Sequence, residues 1–312
     1  VINEIRLNPG HRCFAHVLGD SGYEAEYIGK WHMYANRLGD HYNPANSFIP
    51  PGPDRLGFDG FFAAYNFHHE YYGKKAYYHL DSPEKRYCRK YEPDEQTDLA
   101  IERLGVLSGK GKPFALFLSL GVPHDPWTKD NVPPECLDRF KDMDFPLPGN
   151  YLPENDPMAD KWATLSPAER MDLPEWMRVY YAMVASLDDN VGRLVKAIHD
   201  LGLEDDTILV FTSDHGEMFG SHGRRAKNIF YEEAVRVPFL MRWKGRLAAG
   251  GRSEVCLNSV DIMPTLLSLM DLPIPEAVEG HDLSPALLGG EDREEGSLMM
   301  GTGPTAVFGD GN

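Results

Sequence analysis

One short stretch indicates the fold class, and it reads Thr207-Ile208-Leu209-Val210-Phe211-Thr212-Ser213-Asp214-His215-Gly216. Its first six residues form a continuous run of β-branched and apolar side chains, which is typical of a strand buried on both faces. Such strands occur mainly in parallel sheets that helices cover on both sides, so the stretch predicts an α/β fold. The polar residues that follow would stand at the carboxyl end of the strand.

Strands and helices alternate along the rest of the chain. Further strands are predicted at residues 23–28, 114–120 and 237–243, and helices at 12–21, 94–107, 177–198 and 259–270. This alternation predicts parallel pairing, with helices on both faces of the sheet. The two long stretches between these elements, 30–93 and 123–174, are rich in loop-forming and polar residues, and we interpret them as surface loops.

The composition excludes several classes of protein. The 312 residues include 31 Lys and Arg against 48 Asp and Glu, and the resulting net charge of −17 argues against a nucleic-acid partner. The longest apolar runs are far shorter than the roughly 20 residues that cross a bilayer, so no membrane span is expected. The four cysteines lie far apart without C-x-x-C spacing, which indicates neither a disulfide framework nor a thiolate zinc site. The chain shows no signal-peptide pattern.

Basic and metal-binding residues follow three of the predicted strands. They are, in chain order, Lys30 with His32, His124, and Asp214 with His215. In parallel sheets, ligand sites lie beyond the carboxyl ends of the strands. A single Lys or His in such a place is usually an ordinary loop residue, but three strand ends with the same chemistry predict a functional site.

These side chains suit the hydrolysis of a sulfate or phosphate ester. A carboxylate and an imidazole at adjacent positions, Asp214 and His215, can hold a divalent cation. The residues that would donate hydrogen bonds to an oxyanion beside that cation are Lys30, His32, His124 and Lys227. A cation and such donors together stabilise the negative charge that develops on the ester oxygens.

Two further features have simpler interpretations. His68-His69-Glu70 lies in a Tyr-rich loop without helical spacing, so we predict no metal site there. The aromatic side chains of the loops suit stacking on sugar rings, and they can equally pack on one another. These aromatic residues are Tyr65, Tyr71, Tyr72, Tyr77, Tyr78 and Trp127.

At these residues the chain resembles the sulfatase family of the alkaline phosphatase superfamily. The matching segments are Gly29-Lys30-Trp31-His32, Pro123-His124-Asp125-Pro126, Ser213-Asp214-His215-Gly216-Glu217, Gly220-Ser221-His222-Gly223, and Lys227 ahead of Val235-Arg236-Val237-Pro238. The resemblance spans about residues 7–288. It implies an alkaline phosphatase-like three-layer sandwich, with a mostly parallel sheet and helices on both faces.

The resemblance also implies a metal site. Asp214 and His215 are similar to the later pair of metal ligands in the family, where the ion is expected to be Ca²⁺. Many members have Asn at the position of His215. Because an imidazole ligand is unusual for calcium, Mn²⁺ or another transition ion stays open.

The remaining residues would bind and cleave the sulfate. Lys30 and Lys227 look like the two lysines that hold sulfate oxygens, and His32 would bond the nucleophile or the sulfate. His124 is similar to the histidine that faces the leaving-group oxygen. Two residues are candidates for substrate binding, His222 and Trp127, and His222 could equally serve only to pack its loop.

The sequence departs from the family pattern because it lacks the motif that carries the nucleophile. Sulfatases use a cysteine within C-x-P-S-R or C-x-A-S-R, which is converted to formylglycine, and none of the four cysteines has those neighbours. The earlier pair of metal-binding aspartates is also missing. We therefore expect residues 1–290 to be a catalytic domain truncated at its amino end, and residues 291–312 to begin a truncated C-terminal region. The nucleophile would lie upstream, so this chain alone is expected to be inactive.

The function predicted on this basis is metal-dependent hydrolysis of sulfate esters on a carbohydrate, with a sulfated small molecule or glycan as the partner. One alternative is a phosphodiesterase or phosphonate monoester hydrolase of the same superfamily. Another is a non-catalytic pseudoenzyme that binds an anionic glycan. The family resemblance favours a periplasmic or secreted location, and the sequence leaves the oligomeric state open.

Overall fold

The computed structural model describes residues 6–35, 43–66, 68–73, 75–290, 300–302 and 305–307. The chain divides into two compact units. The first comprises Val1–Gly202 with Phe219–Arg224, and the second comprises Leu203–Met218 with Arg225–Asn312. No helix in the described ranges combines the length and apolar character needed to span a membrane.

The first unit contains a three-stranded parallel sheet. Its strands are β1 (Glu24–Lys30), β2 (Phe62–Tyr65) and a later strand, Phe114–Ser119, which is numbered β5 after the short hairpin of β3 (Tyr77–Tyr78) and β4 (Arg86–Tyr87). The order is β2-β1-β5, with Lys30 opposite Tyr65 and Gly29 opposite Ser119. Because all three strands are parallel, their carboxyl ends lie along one edge of the sheet.

Strand β2 corrects one of the sequence-based interpretations. Residues 30–93 were interpreted as surface loops, yet all four residues of β2 are buried. Phe62 packs with Tyr27 and Trp31, at ring-centroid distances of 5.7 and 5.2 Å. The burial of these aromatic rings stabilises the sheet, and it explains why a segment with a loop-like composition forms one of its strands.

Three helices accompany the sheet. They are α1 (Phe14–Asp20), α2 (Glu92–Ser108) and α4 (Pro167–Asp200), with the short α3 (Pro134–Asp138) before α4. Helix α4 begins ten residues earlier than predicted, since a capping box formed by Ser166 and Glu169 satisfies its first amides at 3.3 and 2.8 Å. Helix α4 stops at Asp200, two residues beyond the predicted end, and Gly202 just after it adopts a positive φ of 68°.

The second unit has a different strand pairing from the one predicted. Strands β6 (Leu209–Thr212) and β7 (Phe239–Arg242) are antiparallel, with Leu209 opposite Arg242. The 213–238 connection contains one short helix, α5 (Glu232–Val235), and no crossover helix, so the chain turns back beside β6 instead of returning parallel. The β6 side chains are half-buried or exposed, not buried on both faces.

The remaining helices of the second unit are α6 (Ser259–Leu269) and α7 (Ser284–Leu287). The predicted boundary at residues 290 and 291 falls where the described chain is interrupted. Of residues 291–312, the structure describes only β8 (Met300–Thr302) and β9 (Thr305–Val307), which pair antiparallel.

Candidate active site at the strand ends

The end of β1 is held close to β5 by a glycine. Gly29 has a φ of 111°, and a Cβ built there would lie 2.0 Å from the carbonyl oxygen of Ser119. Only glycine permits this approach of the two strands. Lys30, the last residue of β1, is therefore fixed in the sheet beside β5.

The backbone beyond Lys30 is anchored to the end of β2. Trp31 is 2% exposed and its amide donates to the carbonyl of Tyr65 at 2.8 Å. The amide of His32 donates to the carbonyl of Asn66 at 2.8 Å, and His32 has a φ of 56°. A positive φ is uncommon for a residue other than glycine, and it turns the chain sharply at His32. Lys30 and His32 thus share the edge predicted from the sequence.

The end of β5 presents a histidine with a carboxylate partner. His124 Nδ1 lies 2.5 Å from Asp125 Oδ1 and 3.2 Å from the Asp125 carbonyl oxygen. The His124 side chain is 19% exposed and that of Asp125 is 39% exposed. Since β5 neighbours β1, His124 follows the strand adjacent to the one that delivers Lys30.

Trp127 lies in the interior rather than at the edge. It is 7% exposed, and its indole N–H donates to the Pro123 carbonyl at 2.8 Å. Its ring packs against Phe219 and Trp176, with centroid distances of 4.6 and 5.6 Å. These contacts are those of a residue that packs on other aromatic rings, which was the alternative left open by the sequence.

The end of β2 supplies a histidine that sequence reasoning passed over. The His69 ring lies against that of His124, with centroids 4.5 Å apart and planes inclined by 34°. Burial lowers the pKa of His69 to about 3, and the neighbouring charges of His124 and Lys30 act in the same direction. His69 is therefore neutral at physiological pH. The signal was present, because His69 follows a strand, but β2 itself was not recognised.

Ligand atoms of His69, His124 and Asp125 lie within 4.8 Å of one another, which is a spacing that a metal ion could bridge. The charge of Lys30 is close enough to lower the pKa of His69, and the same charge opposes a cation at this place. The Asp125 carboxylate acts in the opposite direction and raises the pKa of His69, so the cluster holds one charge that repels a cation and one that attracts it.

Beneath this edge lies a buried carboxyl group, Glu92, at the start of α2. The Tyr65 hydroxyl donates to Glu92 Oε1 at 2.7 Å, and His68 Nε2 lies 3.2 Å from Oε2. Burial raises the pKa of Glu92 to about 8 and lowers that of His68 to about 4. At pH 7 the two groups are therefore mainly neutral, and their contact is not an ion pair.

The second unit carries the predicted metal ligands. The His215 amide donates to Asp214 Oδ1 at 3.0 Å, and His215 Nε2 lies 3.4 Å from Asp214 Oδ2. His215 Nδ1 faces the Gly216 carbonyl oxygen at 2.9 Å, so in the neutral ring Nδ1 carries the proton and Nε2 has a lone pair. A carboxylate oxygen and an imidazole nitrogen thus converge, with the backbone bond to Nδ1 that metal-bound histidines commonly make. This donor pair fits a divalent cation.

Lys227 belongs to the same unit as Asp214 and follows a closed loop. The Met218 amide donates to the Ala226 carbonyl at 3.0 Å, and the Ala226 amide donates to the Glu217 carboxylate. These bonds tie the chain just after Gly216 to the residue before Lys227. The loop thus links Lys227 to the Asp214 segment through the backbone.

His222 belongs to the first unit, in a tightly packed loop. Its amide donates to the Asn150 carbonyl at 3.0 Å, and its Nε2 lies 3.0 Å from Asn150 Nδ2. Nearby, Arg224 is buried and bonds Asp156 at 2.7 Å. These contacts give His222 a packing role in its loop and leave its role towards a substrate a prediction.

Three of the cysteines have a thiol pKa that is shifted, and in each case it is raised. Burial raises the pKa of Cys13 and Cys88, and it raises that of Cys136 to about 11. A thiol nucleophile needs the opposite shift, since the thiolate is the reactive form.

A family profile and curated relatives match most of this chain. A family profile described as Sulfatase matches residues 2–272. A relative from Formosa agariphila, the ulvan-active sulfatase, is 32% identical over 311 residues, covering 98% of this chain and 55% of the relative. An N-acetylglucosamine-6-O-sulfatase from Bacteroides thetaiotaomicron is 26% identical, covering 91% of this chain and 58% of the relative. The chain thus spans about half the length of these curated relatives.

A solved structure, BT4656 in complex with its substrate D-glucosamine-2-N,6-O-disulfate, superimposes with a TM-score of 0.78 at 23% identity. It covers 97% of this chain and 70% of its own length. The likeness confirms the predicted α/β sandwich.

Proposed function

The chain belongs to the sulfatase family, and from that premise we propose that it hydrolyses sulfate esters carried by a carbohydrate. The observation that carries the proposal is the edge where β2, β1 and β5 end in parallel. Lys30 is the last residue of β1, and the residues that follow β2 and β5 include His69 and His124. Cationic and imidazole groups at adjacent parallel strand ends suit the binding of a small oxyanion.

A carbohydrate substrate is favoured by the relatives. Ulvan-active sulfatase and N-acetylglucosamine-6-O-sulfatase are names of enzymes that act on sugars. Membership of this family supports a location outside the cytoplasm, periplasmic or secreted.

Within this proposal, Lys30 and Lys227 bind the oxygens of the sulfate. Their ammonium groups stabilise the charge that grows on those oxygens as the ester bond breaks. His32 donates to the sulfate or orients the nucleophile. His124 protonates the leaving oxygen, which is a role suited to an imidazole.

Asp214 and His215 would hold a divalent cation, proposed to be Ca²⁺, with Mn²⁺ or another transition ion as the alternative. The geometry that supports this assignment is the convergence of Asp214 Oδ2 and His215 Nε2, 3.4 Å apart. When bound, such an ion supplies positive charge that stabilises anionic oxygens. Further ligands would come from residues outside this pair.

The nucleophile would be a formylglycine made from a cysteine outside these 312 residues. Two observations support this part of the proposal. None of the four cysteines lies in C-x-P-S-R or C-x-A-S-R, and the chain covers only 55% of the ulvan-active relative. The 312-residue chain by itself is therefore expected to show no turnover.

The test compares two esters in a protein that carries both this chain and the nucleophile segment. Turnover of a sulfated sugar and of an aryl sulfate should exceed that of an aryl phosphate diester. Peptide mass spectra should show the nucleophile cysteine as the lighter aldehyde. Preference for the diester would assign the chain to phosphodiester chemistry, and turnover of none of the three would support a binding protein.

A further inference from the structure

The orientation of the His124 imidazole is determined by the residue that follows it. Two oxygens face His124 Nδ1, the Asp125 carboxylate at 2.5 Å and the Asp125 carbonyl at 3.2 Å. Both oxygens are acceptors, so Nδ1 carries a proton. Nε2 is then the nitrogen through which His124 exchanges a proton with a substrate.

A second contact fixes the face of the same ring. His69, which follows β2, lies at a centroid distance of 4.5 Å, with its plane inclined by 34° to that of His124. Because His69 is uncharged at physiological pH, it packs against His124 without adding a second positive charge. The histidine is thus held at one nitrogen and on one face.

A buried amide ties the two loops that carry these histidines. Asn131 is 6% exposed, and its Nδ2 donates to the carbonyls of His69 at 3.1 Å and Pro126 at 3.2 Å. Its Oδ1 accepts from the amide of Tyr71 at 2.7 Å. One side chain therefore connects the end of β2 with the segment after β5, and it fixes the distance between His69 and His124.

We propose that Asp125, His69 and Asn131 are positioning residues that hold His124 with Nδ1–H on Asp125 and Nε2 towards the leaving oxygen. The inference rests on the proposed sulfatase function. It adds Asp125 and Asn131 to the site and assigns them, together with His69, to the leaving-group step.

The proton balance of that step is simple. An oxygen of the nucleophile forms a bond to sulfur as the bond between sulfur and the leaving oxygen breaks. The electron pair of the broken bond stays on the leaving oxygen. The Nε2–H of the His124 imidazolium gives its proton to that oxygen, which leaves as an alcohol. The ring becomes neutral and keeps Nδ1–H on Asp125. Before the next turnover Nε2 takes up a proton from solvent, which balances the proton that hydrolysis releases with the sulfate. A carboxylate at Nδ1 stabilises the imidazolium that this step requires.

The tautomer is tested directly on the 312-residue chain. Long-range ¹H–¹⁵N spectra at pH 8, assigned through loss of the signal in His124→Gln, report which nitrogen of neutral His124 carries the proton. We expect the Nδ1–H form. An Nε2–H form would overturn the proposal, and this result does not depend on any catalytic activity.

The positioning role is tested by comparing esters with different leaving groups. The comparison uses the extended protein, which carries both this chain and the nucleophile segment. General acids matter most when the leaving group is poorly acidic, so Asp125→Ala and His69→Ala should lower kcat for a sugar sulfate by on the order of tenfold or more. Turnover of an aryl sulfate with an acidic phenol should change little. The matched control Asp130→Ala removes an exposed carboxylate of the same loop and should affect neither ester.

Equal losses on both esters would mean that these residues only maintain the fold, and the proposal would be wrong. If the parent protein turned over neither ester, the proposed function would fail. The NMR measurement of the His124 tautomer would still test the positioning role, because it needs no catalytic activity.

Discussion

Gly29 lies so close to Ser119 that a Cβ at residue 29 would stand 2.0 Å from the Ser119 carbonyl oxygen. This approach joins β1 to β5 one residue before Lys30. The strand ends that carry Lys30 and His124 can therefore lie this close only because residue 29 is a glycine.

Gly29→Ala should destabilise the protein by more than about 2 kcal/mol, because it adds a backbone clash to an unfavourable φ. Gly22→Ala is the matched control, since Gly22 also has a positive φ, 86°, but nothing within 4 Å of its Cβ position. That control should lose only the roughly 1–2 kcal/mol expected for the φ alone. Urea unfolding measures both, and equal losses would show that the Ser119 contact is unimportant.

A buried ion pair anchors α2 to β1. Arg103 bonds the carboxylate of Glu26 at 2.6 and 2.9 Å, and the Glu26 side chain is 0% exposed. Arg103→Met leaves that charge buried, so we expect a loss of about 3–5 kcal/mol. Lys110→Met removes the partner of Glu24 in the same strand, where the two side chains are 39% and 24% exposed, and should cost below about 1 kcal/mol. If the two variants lost similar amounts of stability, the buried Arg103–Glu26 pair would not be what anchors α2 to β1.

Glu92 should make stability fall as the pH rises. Its pKa is about 8 in the folded protein against an ordinary 4.5, so between these values the folded state holds a proton that the unfolded chain has lost. The buried His68, with a pKa of about 4 against 6.5, acts oppositely but only below pH 6.5. From pH 6.5 to 8 only the Glu92 effect therefore remains, and it lowers the free energy of unfolding by up to about 1.4 kcal/mol for each pH unit.

Glu92→Gln should remove this slope, because the amide oxygen can still accept from Tyr65 without titrating. Urea unfolding at pH 6.5 and 8 measures it. Glu102→Gln, an exposed position on the same helix, is the control and should keep the wild-type slope. A wild-type protein equally stable at both pH values would show that the Glu92 carboxyl is already ionised.

Asp214→Ala should abolish divalent cation binding by the extended protein and remove activity with it, since Asp214 Oδ2 is one of two converging donors. Metal content after dialysis and a calcium or manganese titration measure the loss. Asp206→Ala removes an exposed carboxylate just before β6 and should bind metal normally. Unchanged metal content in Asp214→Ala would rule out this ligand assignment.

Much of the site could be predicted because its strands have a strong local signal. The segments that became β1, β5 and β6 were recognised as strands, and the residues after those segments include Lys30, His124 and Asp214. Strand β2 has only four residues, two of them alanine, inside a segment rich in Tyr and His, so the strand was not recognised. His69 was therefore not assigned to a strand end.

The role of Asn131 could not be predicted either. Its amide joins segments that lie about sixty residues apart in the chain, as in its bond to Tyr71. Such contacts depend on tertiary packing, and no local pattern contains them. The antiparallel pairing of β6 with β7 was missed for a related reason, because alternation of elements predicts direction only when a crossover helix is present.

The Lys30 ammonium at the end of β1 is proposed to stabilise the transferred sulfate. The most direct measurement is the kcat of Lys30→Ala on a sugar sulfate, in the extended protein. We predict that kcat falls on the order of a hundredfold, as it does when an oxyanion donor is lost. The control is Lys110→Ala, because the Lys110 ammonium bonds Glu24 at the opposite end of β1. Its kcat should stay close to the wild-type value. A rise in KM with kcat unchanged would show that Lys30 binds substrate and transition state equally, and it would contradict the claim.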